Sequence, residues 1–201
     1  MKSLIIIAVS AITFASCNSS DNKSADNKST QPTSAEVDKK MADVTEKQQA
    51  NTATPATTVS IKEILANYLQ MKNAFAKDNS KDAATAGNAM VASFAGFNKA
   101  ALPADQVKIY NDVEDDAKEH AEHIGSNGGN IKHQREHFDM LSKDIYQLVK
   151  TFGGGQKLYY DHCPMYNDGK GANWISETKD IANPYLGKSM PTCGTVKEEL
   201  K

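Results

Sequence analysis

Residues 131–155 read IKHQREHFDMLSKDIYQLVKTFGGG and carry a clear helical pattern. Their apolar side chains recur at intervals of three, four or seven, which places them on one face of an α-helix. These side chains are Ile131, Phe138, Leu141, Ile145, Leu148 and Phe152. The three glycines after residue 152 predict the end of the helix there.

Three further amphipathic segments precede this helix. The first opens with a capping-box sequence at Ser60–Glu63, the second covers about 81–98, and the third covers about 103–124. Short connections join the four segments. The pattern predicts an all-α fold, an antiparallel four-helix bundle over residues 60–155.

Residues 156–201 have a different character. Residues 158–194 read LYYDHCPMYNDGKGANWISETKDIANPYLGKSMPTCG and hold the only tryptophan and three of the six prolines. A run of aromatic residues at its start is β-like, but turn residues interrupt the remainder of the segment. We expect an irregular C-terminal segment that belongs to the same domain and packs on the helices.

The N-terminus indicates export. A short basic start and the apolar run 4–12 precede Phe14-Ala15-Ser16-Cys17, a small-residue cleavage site that ends in cysteine. The order predicts a lipoprotein signal peptide over 1–16 and lipidation of Cys17, with an ordinary secretory signal as the alternative. The polar, repetitive residues 17–59 predict a disordered tether. We therefore expect a lipoprotein of the cell envelope, at the outer membrane or facing the periplasm.

The charge balance disfavours a nucleic-acid partner. The chain has 23 basic and 25 acidic residues, a net charge of −2, and loss of residues 1–16 would remove only the charge of Lys2. Binding to a phosphate backbone requires a basic surface instead.

Sulfur donors occur at both ends of the C-terminal segment. Cys163 lies near Met165, and Met190 lies near Cys193, with His162 as a further donor. Thiolate and thioether together select Cu(I) or a similar soft ion, whereas harder ions gain little from methionine. This pattern predicts a soft-metal site.

Two other uses of the cysteines compete with metal binding. A Cys163–Cys193 disulfide would suit an oxidising envelope and would enclose residues 164–192. Thiol catalysis is disfavoured because the chain has no CxxC motif, and adjacent residues in an extended segment such as His162 and Cys163 point apart. Paired acids, a phosphate loop and a nucleophile elbow are also missing, so we expect no enzyme.

Four histidines flank the predicted hairpin between the third and fourth helices. His120 and His123 lie near the end of one helix, and His133 and His137 lie near the start of the next. On a helical wheel His120 and His137 border the apolar stripes, while His123 and His133 point outward. They are either metal ligands or charged surface residues that suit a helix end.

The chain resembles a family of Bacteroidetes envelope domains of unknown function, which also occur fused to membrane-fusion adaptors of copper/silver efflux systems. The resemblance spans about 61–196 and depends on His123-Ile124, Gln134-Arg135, Phe138, Leu141-Ser142, Cys163-Pro-Met165, Trp174, Asn183-Pro-Tyr185, Gly187, Met190 and Cys193-Gly194. It implies handling of a heavy metal, copper above all, and a metal efflux system as a partner. It also implies a role for His123 despite its outward angle.

These observations combine into one hypothesis. A lipid-anchored protein binds Cu(I) for metal tolerance or delivery, and the four sulfur residues converge near His120, His123 or His137. The alternative is a structural or interaction module whose cysteines form a disulfide.

Overall fold

The computed structural model describes residues 60–201 and is mostly helical. The predicted signal peptide, tether and lipidated Cys17 lie outside the described residues. The four helices are α1 Lys62–Ala76, α2 Ser80–Ala95, α3 Ala104–Ser126 and α4 Ile131–Phe152. Each consecutive pair of helices packs together. None of the helices in this described part is long and apolar enough to cross a bilayer.

Side chains in the turns set where the helices begin. The Asn79 side chain accepts a hydrogen bond from the Asp82 N–H, and the Asn130 side chain accepts one from the His133 N–H. Both are standard uses of asparagine as an N-cap. The predicted capping box at residue 60 takes another form, because the Ser60 hydroxyl accepts from the N–H of Lys62, only two residues ahead.

The C-terminal segment corrects the all-α prediction. It contains a three-stranded antiparallel sheet of order β2-β1-β3, with β1 Leu158–Cys163, β2 Ala172–Ser176 and β3 Thr195–Leu200. The central strand is the aromatic run that looked β-like, and it ends directly before Pro164, which has no N–H to donate. β1 pairs with the nearby β2 and with β3 far along the chain, and no local pattern reveals the second pairing.

The sheet and the helices share one hydrophobic core. The rings of Tyr146 on α4 and Tyr160 on β1 stack with centroids 4.1 Å apart. The backbone N–H of Ile175 on β2 donates to the hydroxyl of Tyr68 on α1, 3.0 Å away. Both contacts join a strand to a helix, so the C-terminal segment packs on the helices.

Candidate functional site

The two cysteines of the C-terminal segment lie side by side. Cys163 ends β1, and Cys193 lies just before β3, whose Thr195 pairs with His162 of β1. Both cysteines are free, with Cys163 buried and Cys193 half-buried, and their Sγ atoms are 3.5 Å apart. We call these two side chains the thiol pair. An S–S bond would be about 2.05 Å long, so the structure holds two separate thiols.

The neighbouring thiol controls the acidity of Cys193. The hydrogen bond with Cys163 raises the pKa of the Cys193 thiol, and desolvation raises it further. The backbone N–H of Met165 acts in the opposite direction on this pKa. A metal ion that binds here must therefore displace protons, as thiolate ligands always require.

The two methionines beside the thiol pair lie at the surface. Met165 is 58% exposed in the turn after β1, and Met190 is 43% exposed. The carbonyl of Met190 accepts a hydrogen bond from the N–H of Cys193, which holds that turn next to the thiol. Neither thioether is used in core packing, which is the ordinary role of a methionine.

His162 lies on the opposite face of β1 from Cys163. It pairs across the sheet with Asn173, and its Nδ1 shares a 2.8 Å hydrogen bond with Asn173 Oδ1. Successive side chains of a strand alternate between faces, so the two neighbours point apart. His162 is thus separate from the thiol pair.

The four histidines of the α3–α4 hairpin come together, and we call them the histidine cluster: His120, His123, His133 and His137. His137 is its centre, with ring centroids 5.4 Å from His120, 4.3 Å from His123 and 4.6 Å from His133. One ring nitrogen each of His123, His133 and His137 lies within 4.8 Å of the other two. His133 was left out of the candidate ligands because of its outward angle, although its spacing of four from His137 suits two ligands of one ion.

Burial keeps the central histidines neutral. Desolvation, followed by the neighbouring imidazoles, lowers the pKa of His137 to about 4. Desolvation also lowers the pKa of His120, against the charges of Glu119 and Asp116. Neutral imidazoles have a free lone pair, which a metal ligand needs.

The thiol pair and the histidine cluster form two groups without a direct contact among the described residues. Across residues 60–201, no hydrogen bond or ring contact joins the two groups. The three histidines whose nitrogens could share one ion, His123, His133 and His137, have neither cysteine among them. The predicted convergence of sulfur and imidazole donors therefore stays a prediction, with the cysteines at an end of the sheet and the histidines in a helical hairpin.

Asp161 is a buried acid that the sequence pattern did not single out. Both of its carboxylate oxygens lack a hydrogen-bond partner, and burial raises its pKa to about 7. The Nε1 of Trp174, its cross-strand neighbour, is also buried and without a partner. The position of an acid within a run of aromatic strand residues was the sequence signal for this buried carboxyl group.

The comparisons with known proteins agree with a domain of unknown function. Residues 64–157 match the family model described as "Protein of unknown function (DUF3347)". The match supports membership of this domain in a family without an assigned role. It includes α1 from residue 64 onward, the whole of α2, α3 and α4, and the histidine cluster, and it ends before the thiol pair. A search of curated proteins and a search of solved structures gave no match.

Proposed function

We propose that this protein binds a soft monovalent metal ion, Cu(I), through the thiol pair. The observation that carries the proposal is the 3.5 Å separation of two free thiols at the rim of the sheet. Two sulfurs bound tetrahedrally at about 2.3 Å from one ion would lie about 3.8 Å apart. A shift of a few tenths of an ångström would therefore suffice.

The exposed methionines supply the selectivity in this proposal. Met165 and Met190 flank the thiol pair and remain available to a bound ion because core packing does not hold them. A thiolate–thioether set favours Cu(I) over zinc and harder ions. Binding converts the two thiols into thiolates and releases two protons to solvent.

The cellular setting is part of the same proposal. Lipidation at Cys17 would anchor the protein to a membrane of the cell envelope, with residues 17–59 as a tether. The bound ion would serve metal tolerance or delivery to an efflux system. The packing of consecutive helices supports the finer proposal that the four helices form an antiparallel bundle.

A structural module is the second candidate, and the same sulfur distance favours it. A Cys163–Cys193 disulfide would form if an external oxidant removed two electrons while two protons left the thiols. The exposed methionines would then have no role. Alkylation of the unreduced protein after unfolding distinguishes the two forms, since the buried Cys163 is then accessible and free thiols react whereas a disulfide does not.

Competition with a chromogenic Cu(I) chelator under anaerobic, reducing conditions tests the leading proposal. We expect one tightly bound Cu(I), and we expect Cys163→Ser with Cys193→Ser to weaken binding by at least about 100-fold, the loss of both charged ligands. Met165→Leu with Met190→Leu should weaken it by about tenfold. Equal Cu(I) affinity in the wild type and the double-serine variant would refute the proposal.

Met140 provides a matched control for the methionine variant. It is the third exposed methionine among the described residues and lies on α4. Met140→Leu makes the same chemical change on α4, outside the two turns that carry Met165 and Met190, and should leave Cu(I) affinity unchanged. A loss equal to that of the Met165→Leu, Met190→Leu variant would instead indicate a general effect of surface thioethers.

A further inference from the structure

A second arrangement of ligand atoms lies at the α3–α4 hairpin, apart from the thiol pair. We propose that the histidine cluster is a binding site for a borderline divalent ion such as Zn²⁺ or Cu²⁺, with His123, His133 and His137 as ligands and His120 at its edge. Imidazole is a preferred ligand of these ions, whereas Cu(I) is selected by sulfur. The protein would then carry two sites of different metal preference.

The closest pair of nitrogens already has the spacing of two ligands on one ion. The Nδ1 atoms of His120 and His137 are 3.2 Å apart. Two nitrogens bound tetrahedrally at about 2.0–2.1 Å would lie about 3.3 Å apart. One of these nitrogens now carries the proton of their hydrogen bond, so an ion at this edge would need that imidazole in its Nε2–H tautomer.

The other ligands need only side-chain rotation. The group formed by His123, His133 and His137 spans up to 4.8 Å, and its atoms must approach by about 1.5 Å to reach the spacing of bound nitrogens. His123 and His133 have 45% and 35% of their side chains exposed, so both have room to turn. His123 now stacks on His137, and ion binding would replace that stack.

The backbone beneath the cluster is held firmly. The Asn127 side chain donates to the carbonyl of His123, and the Asn130 side chain caps α4 at His133. The buried Gln134 donates from Nε2 to the carbonyl of Ile124, which joins α4 to α3 beside the site. Fixed backbones keep the ligands of both helices together before an ion arrives.

Two carboxylates lie around the cluster. Glu119 Oε1 is 3.8 Å from His123 Nε2, and Glu136 Oε2 is 3.5 Å from His133 Nδ1. Carboxylates that accept from the second ring nitrogen orient metal-bound histidines and strengthen their binding. Their negative charges also favour a divalent cation over a neutral or anionic ligand.

Calorimetric titration of the full chain with Zn²⁺ and with Cu²⁺ tests this site. The titration uses the Cys163→Ser, Cys193→Ser background, so that the thiols cannot bind the added ion. We expect one ion per chain, and we expect His123→Ala with His133→Ala to weaken binding by at least about tenfold. Both substituted side chains are partly exposed and alanine favours a helix, so the variant should retain its helical circular dichroism.

His162→Ala is the matched control, because it removes the one histidine outside the cluster. It should leave affinity for Zn²⁺ and Cu²⁺ unchanged. Absence of binding in the double-serine background, or equal affinity in the His123→Ala, His133→Ala variant, would overturn the proposal. These results are independent of Cu(I) binding at the thiol pair, so the two proposals can fail separately.

Discussion

Gln134 is a polar side chain at a position where the helical pattern of α4 calls for an apolar one. It is fully buried, and every polar atom of its amide is used. Its Nε2 donates to the carbonyls of Ile124 and Ser80, and its Oε1 accepts from the Ser80 hydroxyl. A buried amide with all its hydrogen bonds made is tolerated and joins α2, α3 and α4.

Asp144 on α4, unlike Gln134, has a buried polar atom without a hydrogen bond. Its Oδ2 is buried without a partner, and desolvation, with a contribution from Asp116, raises its pKa to about 7. The unfolded chain releases this proton near pH 4, whereas the folded chain keeps it until about pH 7. The contribution of Asp144 to the free energy of unfolding therefore falls as the pH rises from about 4 to 7, and it is constant above pH 7.

Asp144→Asn should remove this dependence. We expect its free energy of unfolding at pH 8 to exceed that of the wild type by about 1 kcal/mol, a value reduced for partial solvent exposure. Urea unfolding at pH 5 and pH 8 measures the effect. Asp112→Asn, at an exposed i, i+4 ion pair with Lys108, serves as the control and should leave the pH dependence intact. Parallel pH profiles for Asp144→Asn and the wild type would contradict this role of Asp144.

At the scale of elements, Arg135 fastens the C-terminal segment to the helices. Its Nε donates to the carbonyl of Pro184, and its Nη2 donates to the carbonyl of Phe75 and the carboxylate of Asp78. The hydrogen bond from Arg135 holds the pKa of Asp78 below its usual value. Gly187 completes the contact, since a Cβ there would collide with Asp78 and with the guanidinium.

Replacement of this arginine should loosen that junction. We expect Arg135→Met to lower the free energy of unfolding by about 2–3 kcal/mol, because it leaves a carboxylate and two carbonyls without their donor. Urea denaturation measures the loss, and hydrogen exchange should increase over residues 183–188. Lys150→Met breaks the exposed ion pair with Glu198 and should have a much smaller effect, because solvent screens that pair. Equal losses in the two variants would argue against a junction at Arg135.

The helices were predictable because their signals are local. The apolar spacing and the glycines of residues 131–155 place the ends of α4 at the residues where the structure has them. The sheet was not predictable in the same way, since β1 pairs with β3 more than thirty residues ahead. The charged β3 sequence TVKEEL resembles a helical surface until a partner strand is known.

The candidate sites also divide into local features that the sequence predicts and contacts between distant residues that it does not. That the hairpin histidines meet follows from two helices joined by a short turn, and it was predicted. His133 was expected near the other three but was not chosen as a candidate ligand, because its wheel angle on α4 points away from the apolar stripe. The adjacency of Cys163 and Cys193 depends on the pairing of β1 with β3, so the sequence could not establish it.

At the scale of the described molecule, residues 60–201, the ligand atoms fall into two sets of different chemistry. The soft sulfur donors lie at the sheet, and the imidazoles lie at the α3–α4 hairpin. The matched family region contains the imidazoles and stops before the sulfurs. Our proposal places Cu(I) at the sulfur donors and not at the histidine cluster, because thiolate and thioether select this ion.

X-ray absorption at the copper edge of Cu(I)-loaded, reduced protein tests this assignment. We predict a first shell of sulfur alone, without the outer-shell scattering of imidazole rings, and we predict its loss in the Cys163→Ser, Cys193→Ser variant. A first shell dominated by nitrogen with imidazole scattering, unchanged in that variant, would contradict the assignment.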